Sequence, residues 1–319
     1  MTMRILNTLG KTYPAEARKI LSRLGDVEYR VPDQREIEKN IGRYDVVIMT
    51  VGLRFDKSTL KKAVRLKIIV VAATGLDHID LEEARRRNIV VLSLRGETKF
   101  LNTITGTAEL AVGLMIDLLR RTPHAFDSVK RYKWDKNSFR GRNLFGKTLG
   151  IVGMGRLGRW MSRYGDAFGM NVQFFDPHIK KSPSKKYKKV SFETLLKTSD
   201  CISIHVHLGK ETENMFSARE FGLMKKTAYL INTSRGKIVD EKTVLIALKK
   251  KTIAGYATDV LADELSFGKR FKSNPLVEYA KKHENLIIVP HIGGMTHESR
   301  EATDIFMAKK LERFLKTKK

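Results

Sequence analysis

The 319-residue chain holds a single cysteine, Cys201, which excludes an internal disulfide and a cysteine-rich zinc site and fits a reducing compartment. No apolar run approaches the ~20 residues that a membrane-spanning helix needs, and the N-terminus lacks the apolar core of a secretory signal. Acidic residues are scarce: 35 Asp and Glu stand against 61 Lys and Arg, a formal charge of +26. Such an excess would suit a nucleic-acid binder if it were gathered on one element with base-reading or aromatic residues interleaved. Here the lysines are scattered, as at Lys61 and Lys62, Lys249 to Lys251, and Lys309 and Lys310. The densest run, Lys180 to Lys189, reads as a solvated loop. The expectation is a soluble cytoplasmic protein of two domains, with neither a membrane nor a nucleic acid as partner.

What the chain does have is one stretch around which the rest is arranged, Gly146 to Asp176, GKTLGIVGMGRLGRWMSRYGDAFGMNVQFFD. A short apolar run is followed by Gly153, Gly155 and Gly158, a helical segment, and a second apolar run that ends on Asp176. Gly153 permits the sharp turn, Gly155 lets a backbone approach a pyrophosphate, and Gly158 lets the helix pack closely on the strand. Asp176 follows Gly158 by 18 residues, at the tip of the next strand, where a carboxylate accepts from both ribose hydroxyls of an adenosine and repels a 2′-phosphate. The pattern predicts a dinucleotide site that takes NAD in preference to NADP.

The N-terminal hundred residues alternate strand and helix signals. Met3 to Asn7 predicts a strand, and Pro14 starts a helix with Ala17, Ile20, Leu21 and Leu24 on one face. Val46 to Thr50, Ile68 to Ala72 and Ile89 to Leu92 are Val- and Ile-rich runs that suit buried parallel strands. The loops Thr50 to Gly52 and Ala73 to Gly75 follow strand ends where open α/β sheets place ligands. Gly106 to Arg121 is apolar almost all round and predicts a buried helix that connects the domains. Strands are then predicted at 171 to 175, 201 to 206, 228 to 232, 253 to 258 and 286 to 290, and a closing helix carries Ile305, Ala308, Leu311 and Leu315. The predicted fold is α/β, with two doubly wound parallel-sheet domains. A Rossmann NAD-binding domain, 101–290, is inserted in a discontinuous flavodoxin-like substrate domain, 1–100 and 291–319.

Three predicted strand ends carry residues a plain core would not need. INTSRG places Arg235, TDVLADE places Asp259 and Glu264, and VPHIGG places His291. A guanidinium can hold a carboxylate while polarising the neighbouring carbonyl. An imidazolium can protonate that carbonyl oxygen as hydride arrives from a nicotinamide, and a carboxylate bonded to the imidazole would orient it and raise its pKa. Singly, each residue could be an ordinary turn, loop or core residue. Their shared position after consecutive strands predicts reversible hydride transfer between a 2-oxo acid and a 2-hydroxy acid.

At these motifs the chain resembles the D-isomer-specific 2-hydroxyacid dehydrogenases. The likeness runs through ATGLDHID (73–80), TAEL (107–110), GKTLGIVGMGRLG (146–158), FDP (175–177), INTSRGKIVD (231–240), the Asp259 and Glu264 pair, and PHIGG (290–294). The resemblance implies Arg235, Glu264 and His291 as catalytic residues, with Ala73, Thr74 and Gly75 holding the substrate carboxylate beside Arg235. It implies cofactor contacts from Thr107, Arg156, Leu157, Asp176, His205, Thr233, Asp259 and Gly293, in addition to Gly153, Gly155 and Gly158. It also implies a homodimer built on the nucleotide-binding domain. The chain departs from the family pattern at His207 and Leu265, where proline is usual, and in a long basic loop from Ser266 to Glu284. His205 and His207 share one face of the predicted strand, but without a third nearby ligand no metal is expected. Phosphoglycerate dehydrogenases of this family often add a C-terminal regulatory domain; with the closing helix running to Lys319, serine feedback through one is not expected.

Two readings of function follow. One is an NAD-dependent D-2-hydroxyacid dehydrogenase acting on glyoxylate, hydroxypyruvate, pyruvate or 3-phosphohydroxypyruvate; the other is an NAD(H)-sensing, corepressor-like binding protein of the same fold. Arg54 is positioned in the sequence to meet a substrate phosphate, or to be a surface arginine.

Overall fold

The apolar runs become parallel strands in two compact units, one formed by residues 1–104 and 296–319 and the other by 105–295. The structure is a computed structural model that describes residues 2–49, 52–264 and 268–317, the side chains of 268–270 excepted. Thr50, Val51, Leu265 and Ser266, singled out in the sequence, lie outside the described residues.

In the first unit the strands are β1 (Arg4–Asn7), β2 (Asp26–Tyr29), β3 (Val46–Met49), β4 (Ile68–Val71) and β5 (Val90–Ser93). They pair in parallel in the order β2-β1-β3-β4-β5, the flavodoxin-like arrangement. β3 and β4 are buried throughout because helices cover both faces of a parallel sheet. The helix Ala15–Leu21 follows Pro14 and buries Ala17, Ile20 and Leu21. The long helix His297–Thr317 packs on it and buries Met307, Ala308 and Leu311. Asp33, Asp56 and Asp80 cap the three helices that follow β2, β3 and β4, each accepting from a backbone N–H three residues on.

The second unit holds β6 (Thr148–Val152), β7 (Asn171–Phe175), β8 (Lys188–Lys189), β9 (Cys201–Ile204), β10 (Tyr229–Asn232), β11 (Gly255–Thr258) and β12 (Leu286–Ile288). Their order is β12-β11-β10-β9-β6-β7-β8, all parallel, so the winding reverses between β6 and β9. That reversal leaves a crevice beyond the strand ends, where a doubly wound sheet binds dinucleotides. Two apolar clusters cover the two faces of this sheet.

Several expectations need correction. The segment 201–206 is strand only to Ile204, so His205 and His207 stand beyond its end and do not share a strand face. The lysine run is not all loop, because Lys188 and Lys189 form the edge strand β8 beside Gln173 and Phe174. The helix Gly106–Arg120 buries Ala108, Ala111, Leu114, Met115, Leu118 and Leu119 against β10 to β12 and the helix Arg156–Ala167, while Val112, Gly113 and Ile116 remain half-buried. Contact boundaries fall at 104/105 and 295/296, a few residues beyond the sequence-read ones. Residue 291 goes with the second unit because its N–H donates to Asp259 O at 2.8 Å and to Val289 O at 3.1 Å.

Candidate active site

The glycine turn is built by close approaches. Gly153 has φ +94°, and a Cβ there would come within 2.6 Å of the His205 carbonyl oxygen. A Cβ on Gly158 would fall on the Gly153 carbonyl, so only glycine lets the helix Arg156–Ala167 start this close to β6. At Gly155 a Cβ would meet no protein atom, so that face is left open. Gly155 caps the helix without a side-chain hydrogen bond and no acid stands in the first turn, which leaves its N–H groups for an anion.

Asp176 lies just beyond β7. One of its oxygens accepts from Met154 N–H at 2.8 Å and the other from His178 N–H at 2.9 Å. The carboxylate therefore braces the glycine turn.

Two further residues present polar atoms with nothing among the described residues to satisfy them. Thr233 Oγ1 and His205 Nδ1 are buried and have no hydrogen-bond partner. Orphaned polar atoms are costly unless a ligand or water meets them. The His205 ring shares a 2.8 Å bond with Ser203 Oγ through Nε2, and burial pushes it down to about 4, so it is neutral at physiological pH. With the open glycine face and the Asp176 carboxylate, these atoms fit a dinucleotide along the ends of β6, β7, β9 and β10. Arg156 and Leu157, in the first turn of the helix, are half-buried.

The loop after β12 is organised by Asp259. This carboxylate is 1% exposed and takes Ile292 N–H at 2.6 Å and Gly293 N–H at 2.8 Å. Burial raises its pKa even though two donors oppose the shift. A side chain at Gly293 would press on Asp259 and Thr107, so these three predicted cofactor residues form one cluster. Fixing 292 and 293 in this way turns His291 toward Glu264, at φ +55°.

His291 Nδ1 and Glu264 Oε1 are 2.5 Å apart, with both side chains partly exposed. The hydrogen bond to Glu264 is the main cause of a raised His291 pKa; burial opposes it, as does the nearby Arg235 charge. Nδ1 is thus engaged, and Nε2 is the nitrogen available for proton transfer. Arg235 follows β10 and donates from Nη1 to Ser234 O at 2.9 Å.

The site uses residues that sequence reasoning passed over. Buried Asn232 holds the arginine turn, donating to Arg235 O and accepting from Ser234 N–H, each at 3.0 Å. Its signal was an asparagine at the end of an apolar strand, the start of an Asx turn. Glu241 accepts the Ala262 N–H at 2.6 Å and so anchors the loop that carries Glu264. A Cβ on Gly236 would run into the Leu261–Ala262 backbone, which ties the arginine turn to the same loop. Ala73, Thr74 and Gly75 lie half-buried beyond β4 in the first unit, where Ala73 O accepts from Leu94 N–H at 3.0 Å. Among the described residues, no group of three or more His, Cys, Asp or Glu could hold a metal ion, and no helix is long and apolar enough to cross a membrane.

Comparison with known proteins places the chain in a family. The model of the D-isomer specific 2-hydroxyacid dehydrogenase NAD-binding domain matches residues 112–293. A glyoxylate reductase of Thermococcus litoralis is 36% identical over 318 residues, 95% of this chain and 91% of that protein. A D-3-phosphoglycerate dehydrogenase of Methanocaldococcus jannaschii is 33% identical over 94% of this chain, which spans only 56% of that longer relative. The crystal structure of the Aquifex aeolicus D-lactate dehydrogenase, complexed with NAD and lactic acid, superposes with a TM-score of 0.86 at 28% identity and covers 98% of this chain and 96% of its own. The chain belongs to the D-isomer-specific 2-hydroxyacid dehydrogenases, a family of NAD-dependent oxidoreductases with two parallel-sheet domains.

Proposed function

We propose that this protein reduces a small 2-oxo acid to the D-2-hydroxy acid, with NADH as reductant, and catalyses the reverse reaction when the hydroxy acid and NAD are in excess. The observation that carries this reading is the 2.5 Å Glu264–His291 bond next to Arg235. Bound NADH would supply the hydride. His291 Nε2 gives the proton to the carbonyl oxygen, while Glu264 holds the ring and stabilises the imidazolium. Arg235 draws the substrate carboxylate and polarises the carbonyl. Beyond the second unit, the Ala73 to Gly75 loop is our candidate for further carboxylate contacts. Thr107, Gly153, Gly155, Arg156, Leu157, Gly158, Asp176, His205, Thr233, Asp259 and Gly293 are our candidates for holding the dinucleotide.

The nearly full-length similarity to a glyoxylate reductase favours glyoxylate or hydroxypyruvate over larger acids. Arg54, exposed and without an ion pair among the described residues, is the residue to watch if 3-phosphohydroxypyruvate proves to be the substrate. We assign the protein to the cytoplasm, where its buried lone cysteine needs no partner. We also infer a homodimer, supported by the exposed Phe126, Tyr132, Trp134 and Phe145 in the nucleotide unit.

The test is NADH consumption against glyoxylate, hydroxypyruvate, pyruvate and 3-phosphohydroxypyruvate, with His291→Ala alongside. The substitution should cut turnover by about 10² or more and leave NADH binding nearly intact. Unchanged turnover would remove His291 from the mechanism, and light scattering of the same sample reports the oligomeric state.

A further inference from the structure

A cavity of about 700 Å³ opens at the other edge of the nucleotide sheet, where β10, β11 and β12 begin. Its apolar lining comes from Leu118, Tyr229, Leu248, Ile253 and Tyr279. Its polar lining is almost wholly basic: Lys226, Lys249, Lys251, Lys282 and Arg121, against the single carboxylate of Glu284. Arg121 and Glu284 bond to each other, so they cancel. None of the four lysines has an ion-pair partner among the described residues.

Two neighbouring lysines are paired. Lys225, beside Lys226, pairs with Asp200 at 3.0 Å, and Lys281, beside Lys282, pairs with Glu278 at 2.9 Å. Lys250, between Lys249 and Lys251, resembles the cavity lysines in having no ion pair among the described residues, though it does not line the cavity. The four cavity lysines arrive from three separate segments: the turn before β10, the end of the helix Glu241–Lys249 with its following turn, and the turn before β12. Lys251 takes φ +53°, a left-handed conformation that normally favours glycine. All four side chains are exposed, and four like charges around one concavity give it a positive potential that draws an anion. One wall is aromatic, because the rings of Tyr279 and His283 stack 3.8 Å apart and 3° from parallel.

We infer that this cavity is a binding site for a nucleoside polyphosphate, with the heterocycle against the Tyr279 and His283 wall and the phosphates among Lys226, Lys249, Lys251 and Lys282. The site is separate from the dinucleotide crevice, which lies beyond the C-terminal ends of β6, β7, β9 and β10 in the same sheet. Its occupant needs no part in hydride transfer, so the inference stands or falls apart from the proposed reaction.

The experiment is calorimetric titration of the protein saturated with NADH, which blocks the dinucleotide crevice, using ATP and inorganic tripolyphosphate as separate probes. ATP should bind at one equivalent per chain and more tightly than tripolyphosphate. Lys226→Ala and Lys251→Ala should each weaken ATP by about two- to fivefold, as expected for an exposed charge contact, while Lys281→Ala, a paired neighbour, should not. Turnover should be the same in all three variants. Absence of ATP binding, or binding indifferent to Lys226 and Lys251, overturns the site. Equal affinity for tripolyphosphate overturns the nucleoside assignment, and a short RNA that displaces ATP at lower concentration overturns the small-ligand reading.

Discussion

Glu264 holds the His291 imidazole through Nδ1 at 2.5 Å, and that contact raises the pKa of the ring above its ordinary value of 6.5. Reduction of a 2-oxo acid needs the imidazolium, so kcat/KM for reduction should be flat at low pH and fall as pH rises through the raised pKa. Oxidation of the hydroxy acid needs neutral imidazole and should rise through the same point. In Glu264→Gln the falling limb should move to lower pH, because the stabilising charge is gone. Paired pH profiles in the two directions check this; limbs that coincide in the two proteins would exclude Glu264 as the cause.

Two glycines three residues apart should fail in different ways. Gly155→Ala meets open space and should fold normally, yet lose most NADH affinity because its methyl stands where the pyrophosphate must approach. Gly158→Ala collides with the Gly153 carbonyl and should lower the melting temperature as well. Thermal melts set beside NADH titrations separate the two; a stable, NADH-binding Gly158→Ala would contradict the close packing described above.

Asp176 braces the glycine turn, and under the proposed function it also holds the ribose, so removing it should reveal both tasks. Asp176→Ser takes a charged acceptor from the ribose and from Met154 N–H, a loss of about 1.5 to 3 kcal/mol or roughly 10- to 150-fold in NADH affinity. NADPH, no longer repelled, should lose far less. The ratio of kcat/KM values for the two cofactors is the readout, and an unaltered ratio would assign Asp176 to bracing alone.

Glu241 should matter without touching substrate. Glu241→Ala leaves the Ala262 N–H without its acceptor, costs about 1 to 3 kcal/mol of stability, and loosens the loop that presents Glu264. The reductive pH limb should then drift toward that of Glu264→Gln. Glu241→Gln keeps an acceptor in place and should restore the limb; a limb that stays put in Glu241→Ala would reduce Glu241 to an ordinary stabilising contact.

Much of this arrangement was legible because it rests on short-range rules. The glycine turn, the apolar runs of β3, β4, β6 and β7, and the acid at the tip of β7 are each specified within about thirty residues by steric need and burial. β2 was not legible, because Asp26 to Tyr29 has no continuous apolar run and is only half-buried. Asn232, Gly236 and Glu241 escaped for a different reason. The contacts of Gly236 and Glu241 lie more than twenty residues away, at Leu261 and Ala262, so no local pattern marks them. His205 was read as part of a strand because apolar character continues to Val206, although pairing stops at Ile204.

His291 occupies a left-handed backbone conformation at φ +55°, one that asparagine or glycine would adopt with less strain. Under the proposed mechanism the position therefore carries two opposed demands, since the backbone would be more relaxed with another residue and the imidazole is needed to move the proton. A lineage released from the need for turnover would be free to drift toward glycine or asparagine here and would become more stable as it did so. Under the proposed mechanism, histidine at this one position sets the demand of proton transfer against the ease of the backbone.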